Sequence, residues 1–262
     1  MLLAIDAGNT NIVFALYEGD KMRAQWRAVT QVSRTADEYA VWLGSLLELE
    51  GLSFADLDAA IIATVVPAVL FDLRDMCRKY LKTEPLRVGD PALDLGPKPK
   101  VDRPETVGAD RLCNTVAAHA SYKGAVIVVD FGTATNFDIV SADGAFDGSV
   151  IAPGANLSIE ALHQAAALLP RVAIGRAQKV IGRDTISSMQ SGVYWGYVGL
   201  ITGLINGIKA EYGKPMTVVA TGGLSHLFRP DIPAIEHIDP DLTMRGLMLI
   251  HARNVPKEIK KA

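Results

Sequence analysis

The sequence predicts an α/β protein made of two lobes facing each other across a cleft, and three observations carry that prediction. An apolar strand that ends in Asp, with Gly two residues later and Thr close behind, occurs twice. Its copies are Asp6-Ala7-Gly8-Asn9-Thr10 near the start and Asp130-Phe131-Gly132-Thr133-Ala134 near the middle. Each copy turns into a second apolar strand and is followed by helical periodicity. The composition, 49% hydrophobic and 21% charged over 262 residues, excludes disorder and provides for a sizeable core. The lobes are placed at 1–104 and 105–262.

Leu2 to Ile5 read as the first strand and Ile12 to Tyr17 as the second, and Glu18-Gly19-Asp20 is the turn into Arg23 to Val29. Thr35 and Glu38 form a capping box ahead of Tyr39, Trp42, Leu43, Leu46 and Leu47, whose spacing makes one apolar helical face. Ala59 to Ala63 read as a buried strand, Ala68 to Leu81 as a helix and Leu86 to Val88 as a strand. Pro91, Pro97, Pro99 and Pro104 make the next stretch a loop between the halves. A helix from about Val107 to Ser121 opens the second half, followed by strands at Ala125 to Asp130 and Asn136 to Ser141. Gly148, Pro153 and Gly154 precede a helix beginning near Asn156, and Met216 to Ala220 form a strand ahead of Thr221-Gly222-Gly223.

Thr185 to Ile208 contains no charged residue and is long enough to span a bilayer. Ser187, Ser188, Gln190, Asn206 and five glycines make it too polar for that, so it reads as a buried helix. Gly192, Gly196, Gly199, Gly203 and Gly207 fall along one face, where another helix or a sheet could approach closely. The 26 Lys+Arg against 29 Asp+Glu give a net charge of -3, with no basic block to neutralise nucleic acid or anionic membrane. Cys77 and Cys113 have no metal-ligand partner nearby in sequence, and Asp6 interrupts the opening apolar run too early for a signal peptide, so a reducing cytoplasm is expected. His119, His163, His226, His237 and His251 show no ligand spacing.

The repeated turn has a chemistry of its own. Backbone N–H groups can approach a phosphate chain where glycine removes the side chain, and small hydroxyls and amides complete a cradle. Gly8, Asn9, Thr10 and Asn11 are of those types, and Asp6 could hold a magnesium ion bridging phosphates. A plain β-hairpin turn would use the same residues. Thr221-Gly222-Gly223 could let a base or ribose lie flat on the backbone, and the helix after Gly154 could direct its N-terminus at phosphate or follow a simple turn. In Gly108-Ala109-Asp110-Arg111, the Asp could take a proton from a substrate hydroxyl while the guanidinium grips a carboxylate or phosphate. The same pair could be a helix-dipole carboxylate beside a surface cation.

In order and spacing, Asp6-x-Gly8-Asn9-Thr10, Gly108-Ala109-Asp110-Arg111, Asp130-x-Gly132-Thr133-Ala134-Thr135, Ile151-Ala152-Pro153-Gly154 and Thr221-Gly222-Gly223 resemble the type III pantothenate kinases, over nearly the whole chain. The resemblance implies the duplicated ribonuclease-H-like fold of actin and the sugar kinases, and ATP-dependent phosphorylation of pantothenate, the first step of coenzyme A synthesis. By position it implies ATP contacts from Asp6, Ala7, Gly8, Asn9, Thr10, Asn11, Ile12, Val13 and Thr133. Pantothenate contacts are implied for Gly108, Ala109, Asp110, Arg111 and Thr185, with Asp110 as the base. Asp130 matches a monovalent-cation ligand, for potassium or ammonium, magnesium would accompany ATP, and the family relation implies a homodimer with Thr185 near its interface. Val101 stands where the family often has tyrosine, Ser149 where it has a second glycine and Asn136 where threonine is common. An ATP-dependent regulatory module without catalysis, or a kinase of another small hydroxy acid or sugar, would use the same fold.

Overall fold

The computed structural model describes residues 1–165 and 170–255. Its contacts divide the chain into two units. The first comprises Met1–Gly96, Arg103–Ala117 and the segment from Leu242 onward; the second comprises Pro97–Asp102 and Ala118–Asp241.

In the first unit, β1 (Leu2–Ala7), β2 (Asn11–Glu18) and β3 (Lys21–Val29) form an antiparallel meander. Strands β4 (Ala59–Thr64) and β5 (Leu86–Arg87) add in parallel beside β1, giving the order β3-β2-β1-β4-β5. Alternation along β1 sends Leu3 and Ile5 to one face and Leu2 and Ala4 to the other, and both faces are covered. Helix α1 (Ala36–Leu49) starts at the Thr35–Glu38 capping box and buries Tyr39, Leu43 and Leu47, one turn apart, against the first face. Helix α2 (Pro67–Met76) joins it, with Pro at the first position where its missing N–H costs nothing. The expected helix through Leu81 therefore changes character: Cys77–Leu81 is a π-helical turn, ended by Lys82 in the left-handed region at φ 58°. The opposite face is covered by α3 (Ala109–Ser121), whose early turns bring Ala109 and Cys113, and by the C-terminal helix α7 (Leu242–Asn254).

The second unit repeats the plan. Strands β6 (Ala125–Phe131), β7 (Ala134–Val140) and β8 (Phe146–Pro153) are antiparallel, and β9 (Met216–Thr221) and β10 (His237–Ile238) run parallel beside β6. The order β8-β7-β6-β9-β10 corresponds strand for strand to that of the first sheet. The duplication read from two short motifs is thus a duplication of whole sheets. Helices α4 (Ala155–Ala165), α5 (Thr185–Tyr212) and α6 (Ser225–Phe228) complete the unit. Ile127, Val129 and Phe131 pack with Tyr194, Tyr197, Ile201 and Phe228, where Phe228 stacks on Phe131 and Tyr194 at ring separations of 5.6 and 5.3 Å.

The structure departs from the sequence reading at three points. Strand β8 is absent from the reading because Gly148 and Pro153 look like breakers. Yet β8 is an edge strand, where Pro is tolerated, and Gly148, at φ 121°, sits where the register with β7 shifts. Helices α6 and α7 and strand β10 also lie outside the sequence reading. Because α7 packs on β1 and β4, the end of the chain belongs to the first unit, and no single cut after residue 104 reproduces the observed division. The glycine face of α5, expected as a surface for close packing, is open: among the described residues, a Cβ on Gly192, Gly196, Gly199, Gly203 or Gly207 would meet no atom of another element within 4 Å. Its opposite face carries the buried Tyr194, Tyr197, Ile201, Ile205 and Ile208. No helix among the described residues is long and apolar enough to cross a membrane.

Candidate active site

In the first unit, β1 delivers Asp6 to the strand end, opposite Val13 on β2 and Ala63 on β4. The turn after it is tight: the Gly8 N–H donates to the Asn11 carbonyl at 3.0 Å, and a Cβ on Gly8 would come within 3.3 Å of that oxygen. Asn9 and Thr10 are exposed at the tip, while Ala7 and Ile12 anchor the flanks in the core. One residue outside the motif holds the turn in shape. The Thr30 hydroxyl donates to the Gly8 carbonyl at 2.6 Å, and the Thr30 N–H donates to the Thr10 carbonyl at 3.0 Å. These two bonds brace the turn from behind. No motif marks Thr30; only its place at the end of β3, beside β2, reveals it. Thr30→Val removes the side-chain bond at nearly constant volume. It is expected to cost about 1 kcal/mol of stability, read by thermal melting, and an unchanged melting temperature would show that the turn holds itself.

The tetrad opens α3. Asp110 lies in the first helical turn, and its Oδ1 accepts the Arg111 N–H at 2.8 Å. The carboxylate folds back over Gly108, where a Cβ would meet it at 2.6 Å and Val65, just after β4, at 3.3 Å; glycine at 108 makes room for both. Burial raises the pKa of Asp110, against the pull of the Arg111 N–H and guanidinium. The buried Cys113 thiol, one turn on, is pushed up chiefly by burial and further by the negative charge of both Asp6 and Asp110. The two acids are therefore electrostatic neighbours of one side chain, although 104 positions of sequence separate them.

In the second unit three glycine turns converge. A Cβ on Gly154 would lie 2.0 Å from the Thr133 carbonyl oxygen, and one on Gly222, at φ 85°, would lie 2.6 Å from the Phe131 carbonyl oxygen and 2.7 Å from Asp130 Oδ1. The motifs at Asp130–Thr133, Pro153–Gly154 and Thr221–Gly222 are thus pieces of one structure, packed backbone to backbone. Tyr197 on α5 ties them to the helix: its hydroxyl reaches Thr135 Oγ1 at 3.1 Å and donates to the Pro153 carbonyl. Tyr197 was missed because in sequence it reads only as an apolar helix residue. Thr185 is exposed at the start of α5, after the N-cap Asp184, and lines a hollow of about 910 Å³ together with Ser158, Arg183, Met189, Gly196 and Tyr197.

Among the described residues no three His, Cys, Asp or Glu side chains gather as a metal site. A magnesium ion carried by nucleotide phosphates needs only one or two carboxylates, and Asp6, at a strand end before a glycine turn, is a group of that type. Around Gly222, the Asp130 carboxylate and the Phe131 carbonyl present oxygen donors where a Cβ would clash, a donor set suited to a hard cation.

Two matching five-stranded sheets, each with a glycine turn following its central Asp-ended strand, define the actin and sugar-kinase class of α/β proteins. A Sinorhizobium meliloti structure provisionally assigned as a 2-dehydro-3-deoxygalactonokinase shares this fold with a TM-score of 0.59 at 15% identity, covering 98% of this chain and 100% of that one. The family model of type III pantothenate kinase matches residues 2–207. Curated relatives named type III pantothenate kinase include one from Paramagnetospirillum magneticum, 62% identical over 97% of this chain and 98% of its own length. Another, from Rhodospirillum rubrum, is 59% identical over 98% of this chain and 100% of its own length. The chain belongs to the type III pantothenate kinase family.

Proposed function

We propose that the chain transfers a phosphoryl group from ATP to the hydroxyl of pantothenate, yielding 4'-phosphopantothenate in the first step of coenzyme A biosynthesis, with Asp110 as the base. One observation supports this reading beyond family membership: the Asp110 carboxylate is half-buried and raised in pKa by that burial in the first turn of α3, where it folds over Gly108 and shares the Cys113 side chain with Asp6 as an electrostatic neighbour. A base works best when its pKa approaches the working pH, and desolvation moves Asp110 in that direction.

In this reading Asp110 accepts the hydroxyl proton as the phosphoryl group transfers, and Arg111 holds the pantothenate carboxylate. Gly108 and Ala109 leave the helix N-terminus open to the substrate, and Thr185 contacts it. Asp6, Ala7, Gly8, Asn9, Thr10, Asn11, Ile12, Val13 and Thr133 bind ATP, the glycine turn through its backbone donors. Asp6 holds the magnesium that enters with ATP, which when bound neutralises charge on the transferring phosphoryl group. Asp130 binds a monovalent cation, potassium or ammonium. The cytoplasm suits both the substrates and two free, buried cysteines, Cys77 and Cys113. A coupled assay of ADP release, with pantothenate against a panel of sugars and short acids in potassium and in sodium buffers, tests the whole reading. Turnover with pantothenate alone, higher in potassium, is expected. Turnover of a sugar instead, or no turnover at all, would replace it with one of the two other readings of the fold, and equal rates in both salts would remove the cation from Asp130.

The same reading includes a homodimer through α5. Its glycine stripe is exposed in the single chain and flanked by Val193, Leu200 and Leu204, a surface on which a second helix could pack closely. Gly199→Leu is expected to shift the mass in light scattering from dimer to monomer and to lower pantothenate turnover, because Thr185 lies on the same helix. A monomer at micromolar concentration with full activity, before any substitution, would end this part of the proposal.

A further inference from the structure

Helix α7 contains no motif and no residue assigned above to substrate or nucleotide, yet it packs directly against α3 on the same face of the first sheet. On one side it packs against β1 and β4, the strands whose ends place Asp6 and Val65. On the other it meets α3 at unusually close range: a Cβ on Gly246 would lie 2.1 Å from the Cys113 carbonyl oxygen and 2.8 Å from its Cα. Backbone meets backbone there, and no residue but glycine fits without displacing one of the helices. One turn away, the Thr243 hydroxyl donates to Asn114 Oδ1 at 2.7 Å, and Asn114 is fully buried. Met244, Leu247, Met248 and Ile250 fill the rest of the layer, in one core with Leu2, Ala4, Ala63, Ala109 and Cys113.

The geometry points to α7 as the spacer that sets Asp110 against the Asp6 strand end, with Gly246 and Thr243 as positioning residues for phosphoryl transfer; this rests on Asp110 being the base. The glycine contact fixes how closely α3 packs against α7, beside which it lies on the same face of the sheet. The Thr243–Asn114 bond fixes where along α7 it does so, since Asn114 lies one helical turn beyond Asp110 and moves with it. Close-packed interiors transmit such displacements instead of absorbing them, and a shift of about 1 Å at a reacting group can cost roughly 10²-fold in rate.

Thr243→Val removes the donor at constant shape, Thr243→Ser keeps it, and Gly246→Ala forces the helices apart. All are measured in the full-length protein, well below the melting temperature, alongside Asp110→Asn. For Thr243→Val we expect kcat to fall about tenfold with the KM for Mg-ATP within about twofold of the parent, because the turn on β1 stays in place. Thr243→Ser is expected to restore kcat, and a folded Gly246→Ala to lose more than Thr243→Val. A merely structural role would lower the melting temperature of Thr243→Val and leave kcat unchanged. That outcome overturns the proposal, as does an equal loss in Thr243→Val and Thr243→Ser, and the threonine pair decides the matter if Gly246→Ala fails to fold. Full activity in Asp110→Asn would instead overturn the base assignment itself, a failure distinguishable from that of the spacer.

Discussion

Asp110→Asn is expected to lower kcat by about 10²–10⁴-fold, the range general-base loss commonly costs, while Mg-ATP binding by calorimetry stays close to the parent. The amide preserves size and can still accept the Arg111 N–H, but it cannot take up the hydroxyl proton. The same substitution is expected to make the protein more stable at neutral pH. Because burial raises the pKa of Asp110 above its ordinary 3.8, the ionised carboxylate is less favourable in the folded chain than in the unfolded one. Its favourable balance is complete below 3.8 and is lost as pH rises through the folded value. Removing the charge therefore raises the melting temperature at neutral pH, and the gain shrinks toward acid pH. In the parent, kcat/KM should fall on the acid side with a midpoint above the ordinary 3.8, and that limb should vanish from the residual activity of the variant. More than about half of the parental rate in Asp110→Asn would remove it as the base.

Asp6→Asn is expected to raise the KM for Mg-ATP by roughly 10–100-fold, the scale on which losing one group that orients a metal acts. Excess magnesium should partly restore the rate. The strand itself tolerates the change: Asp6 is only half-buried at the end of β1, and its pairing with Val13 and Ala63 is made by the backbone. An unchanged melting temperature with weakened Mg-ATP binding would separate loss of the site from loss of the fold. Equal affinity in the variant and the parent would take Asp6 out of the nucleotide site.

Legibility in the sequence followed the range of the interactions. The Thr35–Glu38 capping box, the apolar run Ala125 to Val129 and the Asp-x-Gly turns could be read because each is decided within a few residues by hydrogen bonding, alternation or glycine's conformational freedom. Strand β8 could not, since Pro153 is acceptable only at a sheet edge, and which strand is the edge depends on the order of all five. The glycines of α5 pointed to a packing surface in sequence, but that no element among the described residues covers it is a fact of the fold.

The sequence by itself determined that the chain is a duplicated α/β protein, which strand ends turn on glycine, and that Asp110 and Arg111 open a helix, because residue type and short spacing settle those features. Only the tertiary structure decided that the chain returns through α7 to the first unit, that Thr30 braces the Gly8–Thr10 turn, and that Gly246 and Thr243 carry α3. Close approaches between residues as far apart as Cys113 and Gly246 leave no local trace: what selects a glycine there is the space left by another helix, which exists only once the core has packed.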